Sequence, residues 1–152
     1  MTANDFNPYD LLRRERNIEL VFRKLPASLK GYFGRYKDSS FIVLSKSLTQ
    51  VERRCVLAEE LAHYYLGHSG NYLAKAYYGG LGFDKQEHDA KVWAADRLID
   101  THNLLEIAQR DHQLTVEDIC DHFWVTKEVL FFKLNRLANI RALSHFFMPD
   151  VT

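Results

Sequence analysis

"CVLAEELAHYYLGH", Cys55–His68, is the stretch whose reading decides the fold. It is apolar almost all round, through Cys55, Val56, Leu57, Ala58, Leu61, Ala62 and Leu66, and a helix of that kind is buried. Glu59 and Glu60 sit inside it. Buried carboxylates are costly unless paired, protonated or bound to a cation. No Lys or Arg lies three or four residues from either glutamate. Glu59 and His63 are one turn apart on one face and can converge on a point. Glu60 is offset by about 100°. Two ligands one turn apart, with a glutamate beside them to activate water, is the geometry of the metal-binding pattern H-E-x-x-H, which here reads Glu59-Glu60-Leu61-Ala62-His63. The competing reading is a Glu59–His63 hydrogen bond in a partly buried helix, with Glu60 at the edge of solvent. His68 joins the site only if the helix stops at Gly67 and the chain turns back. On a continued helix it would lie about 140° from His63. Cys55, one turn before Glu59, reads as a buried, inert thiol.

Outward from this stretch, Thr49-Gln50-Val51-Glu52 fits a capping box that starts the helix, and Gly67 stops it. Before it come a short helix over Pro8–Arg16 and three strands, Ile18–Phe22, Gly31–Tyr36 and Phe41–Ser45, enough for a small, mainly antiparallel sheet. After it, Ser69–Phe83 reads as a Gly- and Tyr-rich loop. Asp84 with Glu87 marks a second helix start, continuing to about Ile99. Helices near Leu104–Arg110 and Val116–Phe123, and one beginning near Thr126, complete an α+β chain, sheet first and helices after. A third ligand has to come from outside the first helix. Glu87 is the candidate, 87 − 63 = 24 residues after His63, with His88 and Asp89 as neighbours. Glu87 also has structural uses, closing a box begun by Asp84 and pairing with Lys91.

The chain has 152 residues, which suits one domain, with residues 1 to about 100 holding the sheet and the motif helices and about 101–138 forming a C-terminal helical part. Twenty basic residues balance twenty acidic ones, which argues against a broad nucleic-acid or membrane surface. Cys55 and Cys120 form no C-x-x-C pair and read as reduced thiols in a cytosol. Thr115–Leu134 has the rhythm of a helix-turn-helix. The second helix offers only Lys127, Lys133 and Arg136 against Glu128, with bulky apolar residues between, so packing or protein contact outweighs DNA contact.

"RRCVLAEELAHYYLGH" followed by "KQEHDAKVWAADRLI" resembles the ImmA/IrrE group of metallo-endopeptidases, in the short form carried by phages and integrated elements. The resemblance runs from about Leu25 through Arg136. It rests on a helix of the form L-A-[HE]-E-L-x-H and a later one of the form E-x-x-A-x-x-[FW]-A, here Glu87 to Ala94. It implies a gluzincin-like core in which His63 and Glu87 are metal ligands, Glu60 is the general base, and Glu59 stands where most members have the first histidine. Phage-type members often read E-E-L-[GA]-H. The resemblance also implies a partner repressor that is cleaved or otherwise inactivated. Glu59 can ligate zinc through oxygen. With Glu87 it brings two negative charges, which makes the ion less electrophilic and favours harder ions such as manganese. Four outcomes are open: a slow zinc peptidase, an enzyme with another metal, a metal-bearing regulator without turnover, and an empty site. His68 and Tyr64 are candidates for an additional ligand or oxyanion donor, with Tyr65, Tyr77 and Tyr78 behind them.

Overall fold

The computed structural model describes residues 6–68, 81–139 and 143, and for 81–84 the backbone only. The chain divides into two compact units, Asn7–Ala94 and Ala95 onward.

The first unit opens with α1, Pro8–Arg14. The Asn7 side chain caps it by accepting from the Tyr9 amide at 3.0 Å, and Pro8 occupies the first turn, where its missing N–H costs nothing. Three strands follow, β1 (Ile18–Arg23), β2 (Gly31–Tyr36) and β3 (Ser39–Ser45), in the spatial order β1-β3-β2. The α+β order is as the sequence indicates, but the sheet is mixed. Antiparallel pairing is confined to β2 and β3, with Gly34 opposite Phe41, and β1 pairs with β3 in parallel, with Leu20 beside Ile42. The reason lies in β3. It carries the most apolar run, and Ile42 and Leu44 are both 0% exposed. The centre of the sheet is the one place where a strand is paired along both edges and covered by a helix, so β3 separates β1 from β2.

Helix α2, Gln50–Tyr65, packs on β2, β3 and α1. Its capping box is the expected one. The Glu52 amide donates to Thr49 Oγ1 at 3.2 Å, and the Thr49 amide donates to Glu52 Oε2 at 2.7 Å. Leu57 and Leu61 enter the core with Phe33, Ile42, Leu44 and Leu48. Gly31 permits the close approach of helix to sheet: a Cβ there would meet Val43 O at 2.8 Å and a Val56 methyl at 2.9 Å.

Helix α3 runs Leu81–Leu98, starting about one turn before the expected Asp84. Asp84 and Glu87 are thus the fourth and seventh residues of the helix rather than its start. Of the expected loop Ser69–Phe83, residues 81–83 are therefore helical and 69–80 lie outside the described residues.

The second unit holds α4 (Thr101–Arg110), α5 (Val116–Phe123) and α6 (Lys127–Arg136). α4 begins three residues earlier than expected because Asp100 caps it, accepting from the Asn103 amide at 2.9 Å. α5 is capped by Thr115 and α6 by Thr126, as the sequence indicates. Trp124 closes α5 in the left-handed region, φ 54°, where the sequence has no glycine to announce it. Leu104, Ile119, Phe123, Leu130 and Leu134 are buried.

Candidate metal centre at the end of helix α2

Glu60 and His63 lie on the buried side of α2, at 4% and 6% exposure, whereas Glu59 is half-buried. The reading that put Glu60 at the edge of solvent is thus reversed. The helix turns Glu60 inward on one buried stripe, with Leu57 three residues before it and His63 three residues after it. The Glu60 Oε2 atom makes no hydrogen bond, while the side chain as a whole has other interactions.

The helix ends in a Schellman motif. Gly67 adopts φ +70°, its amide donates to Tyr64 O at 3.2 Å, and the His68 amide donates to His63 O at 2.9 Å. This motif brings the residue after the glycine back onto the last full turn. His68 is buried as a result, and its Nδ1 lies 2.8 Å from His63 Nδ1. Burial, and secondarily His63, lower the pKa of His68.

Arg35 of β2 secures the turn from outside. Its Nε donates to His68 O and its Nη2 to Tyr64 O, both at 3.1 Å, and its guanidinium lies over the Phe33 and Tyr64 rings. A cation at a helix C-terminus complements the negative end of the dipole and satisfies carbonyls the helix cannot. The Phe33 ring lies nearly parallel to the His63 imidazole, at 11°. Neither Arg35 nor Phe33 was legible as a site residue. Arg35 lies 29 and 33 residues from its two acceptors, and no local spacing links them.

Glu87 of α3 meets His63. Its Oε1 lies 3.3 Å from His63 Nε2. This is within ion-pair distance, yet Nε2 is buried and makes no hydrogen bond, because the carboxylate oxygen is not placed to receive one. A hydrogen-bonded pair would close to about 2.7–2.9 Å. Two ligand atoms about 2.0–2.2 Å from one tetrahedral ion instead stand roughly 3.3–3.5 Å apart. The spacing and the orphaned nitrogen therefore fit a pair that shares a cation. Imidazole nitrogen and carboxylate oxygen are also the donor types that zinc and manganese accept.

Other expected residues fall differently. Among the described residues, no three His, Cys, Asp or Glu side chains gather closely enough to hold an ion, so Glu59 is not brought into one group with His63 and Glu87. The Tyr64 hydroxyl donates to Glu15 at 3.1 Å and the Tyr65 hydroxyl to the same carboxylate at 2.8 Å. Burial, and then Glu15, push the Tyr65 phenol up to about 12 and raise Tyr64 as well. Both hydroxyls are engaged on α1's exit, and Tyr77 and Tyr78 lie outside the described residues. Cys55 is buried, as read.

In the second unit, the three cations of α6 are all used internally. Lys127 bridges Glu117 at 2.6 Å, and Lys133 and Arg136 both reach Asp96 Oδ1, at 2.8 and 2.6 Å. A helix that read DNA would need such groups for phosphates.

No helix among the described residues is long and apolar enough to cross a membrane. No curated protein matches the chain. Residues 13–135 match the Peptidase M78 family, described as the IrrE N-terminal-like domain. That match spans β1 through nearly all of α6 and includes Glu60, His63 and Glu87, so the chain belongs to the IrrE N-terminal-like family of metallopeptidase-like proteins.

Proposed function

We propose that this protein is a divalent-metal peptidase of the cytoplasm that inactivates a repressor controlling a phage or other mobile element. The observation that carries the reading is the buried His63 Nε2, without a hydrogen bond, facing Glu87 Oε1 at 3.3 Å. His63 and Glu87 would hold the ion, and Glu59 would complete the set by turning its carboxylate from the adjacent turn. Bound there, zinc or a harder ion such as manganese supplies Lewis acidity to a peptide carbonyl and acidity to water. Glu60 takes the proton of the attacking water and delivers it to the leaving amine nitrogen. Its burial beside His63 keeps that carboxylate out of bulk water. Cys55 and Cys120 are buried and not joined in a disulfide, which is consistent with a reducing compartment.

A second reading is favoured by Glu59. Two carboxylates around one ion blunt its electrophilicity, which suits a protein that holds its repressor stoichiometrically rather than cutting it. Zinc content measured on protein purified without added ions tests the shared part: about one equivalent is expected, lost in Glu87→Ala. Glu60→Gln separates the two readings. Hydrolysis predicts that derepression falls by about 10²–10⁴-fold with the metal retained. Derepression unchanged in Glu60→Gln would overturn the peptidase and leave the holding protein.

A further inference from the structure

We propose that His68 is a positioning residue for the metal site: its Nδ1 accepts the Nδ1–H of His63 and so holds the His63 imidazole with a bare Nε2 turned toward Glu87. The inference rests on the metal reading of the preceding section and adds to it the residue that sets the tautomer.

The two Nδ1 atoms are 2.8 Å apart, so one of them carries the proton and the other receives it. A neutral imidazole has one N–H and one lone pair, so the direction of this bond fixes what His63 presents at Nε2. If His68 donated, His63 Nε2 would carry the hydrogen. That N–H would be buried, and Glu87 Oε1 at 3.3 Å is not placed to accept it. A buried donor left unmade costs roughly 1–3 kcal/mol. If His63 donates, Nε2 keeps its lone pair, which is the form a cation requires. A lone pair facing a carboxylate oxygen is itself unfavourable until a positive ion stands between them. The arrangement is therefore built for the loaded protein.

The backbone makes this pairing repeatable. Gly67 in its left-handed conformation and the His68 amide on His63 O fix where His68 lies relative to His63. Arg35 holds the His68 carbonyl. Asp89 and Glu87 act electrostatically on the His68 ring from α3, and Arg35 from β2. Metal-bound histidines commonly donate their second N–H to a carboxylate or carbonyl. Here an imidazole takes that place, and it does so as the residue after the helix-stopping glycine.

Long-range proton–nitrogen NMR spectra of the ¹⁵N-histidine-labelled full chain, with and without one equivalent of zinc, are the direct test. The expected result is His63 protonated at Nδ1 and bare at Nε2, with His68 protonated at Nε2. A competition titration with a chromophoric zinc chelator gives an independent readout. His68→Phe removes the acceptor and should weaken zinc by about 10–100-fold. His68→Gln offers an amide oxygen to the same N–H and should return affinity to within a few-fold of the parent. A His63 protonated at Nε2, or unchanged affinity in His68→Phe, overturns the inference while leaving the metal site standing. Equal losses in the Phe and Gln variants overturn the acceptor role and point to a direct ligand. Parent protein that takes up no zinc overturns the metal reading and the inference with it. The parent spectrum decides the tautomer even where the Phe variant does not fold.

Discussion

Two buried basic side chains invite comparison, Lys133 on α6 and His63 on α2. Lys133 is 2% exposed and His63 is 6% exposed. Lys133 is satisfied: its ammonium reaches Asp96 at 2.8 Å, and Arg136 reaches the same oxygen. His63 is satisfied on one side only. Its Nδ1 is bonded to His68, while Nε2 faces a carboxylate it does not bond. A closed network costs its desolvation once and fixes a fold. An open one keeps a donor atom available. On the proposed function, the difference separates a charge used for structure from a nitrogen kept for chemistry, and burial alone does not reveal it.

The contrast can be broken by removing each acid. Asp96→Ala strands a buried ammonium with no carboxylate, and breaking a buried pair costs about 3–5 kcal/mol. Asp96 is 41% exposed, so solvent offsets part of this, and a loss of about 2–3 kcal/mol is expected in urea unfolding. Glu87→Ala in metal-free protein should cost less than that, because its carboxylate takes no hydrogen bond from His63, whereas Asp96 takes one each from Lys133 and Arg136. Similar losses in the two variants would erase the distinction drawn between the sites.

Acid sharpens the comparison further, with a smaller effect. Burial raises the Asp96 pKa, but the hydrogen bonds from Lys133 and Arg136 outweigh it and hold the carboxyl below its ordinary value of 3.8. Between the folded and the ordinary value the unfolded chain binds the extra proton, so stability rises with pH there. This contribution is complete above about pH 4–5 and disappears as pH falls through the lowered value. Melting temperature followed from pH 5 to pH 2 should therefore fall less steeply in Asp96→Asn than in the parent. Parallel slopes would mean the network does not favour the ionised carboxyl.

A modest effect is expected at the cap of α5. Thr115 and Asp118 satisfy each other's backbone amides at 2.9 and 3.1 Å, on the surface of the second unit. Thr115→Ala should cost about 1 kcal/mol, read by the same unfolding curves, and leave zinc uptake untouched.

Much of this was legible in short-range pattern. Thr49, Glu52 and Gly67 bound α2 in the sequence as they do in the structure, because a cap and a left-handed stop depend on neighbours three to five residues away. Glu60, His63 and Glu87 were singled out by spacing and by resemblance, and the structure buries the first two and brings the last two together. The parallel pairing of β1 with β3 escaped notice because alternation within a strand says which residues are apolar, not which neighbour the strand takes. The roles of Arg35 and Glu15 escaped for a similar reason: each acts on α2 from an element far away in sequence.

The sequence by itself determined where α2 starts and stops, where α5 and α6 begin, which turn carries the acid-and-imidazole pattern, and which family the chain resembles, because capping, periodicity and motif spacing are local. Only the tertiary structure decided that Glu60 is buried rather than Glu59, that His68 folds back onto His63, that Glu87 arrives at 3.3 Å without a hydrogen bond, and that the cations of α6 are spent on Asp96 and Glu117. Those outcomes depend on which surfaces exclude water from one another, and that is settled by packing between segments distant along the chain.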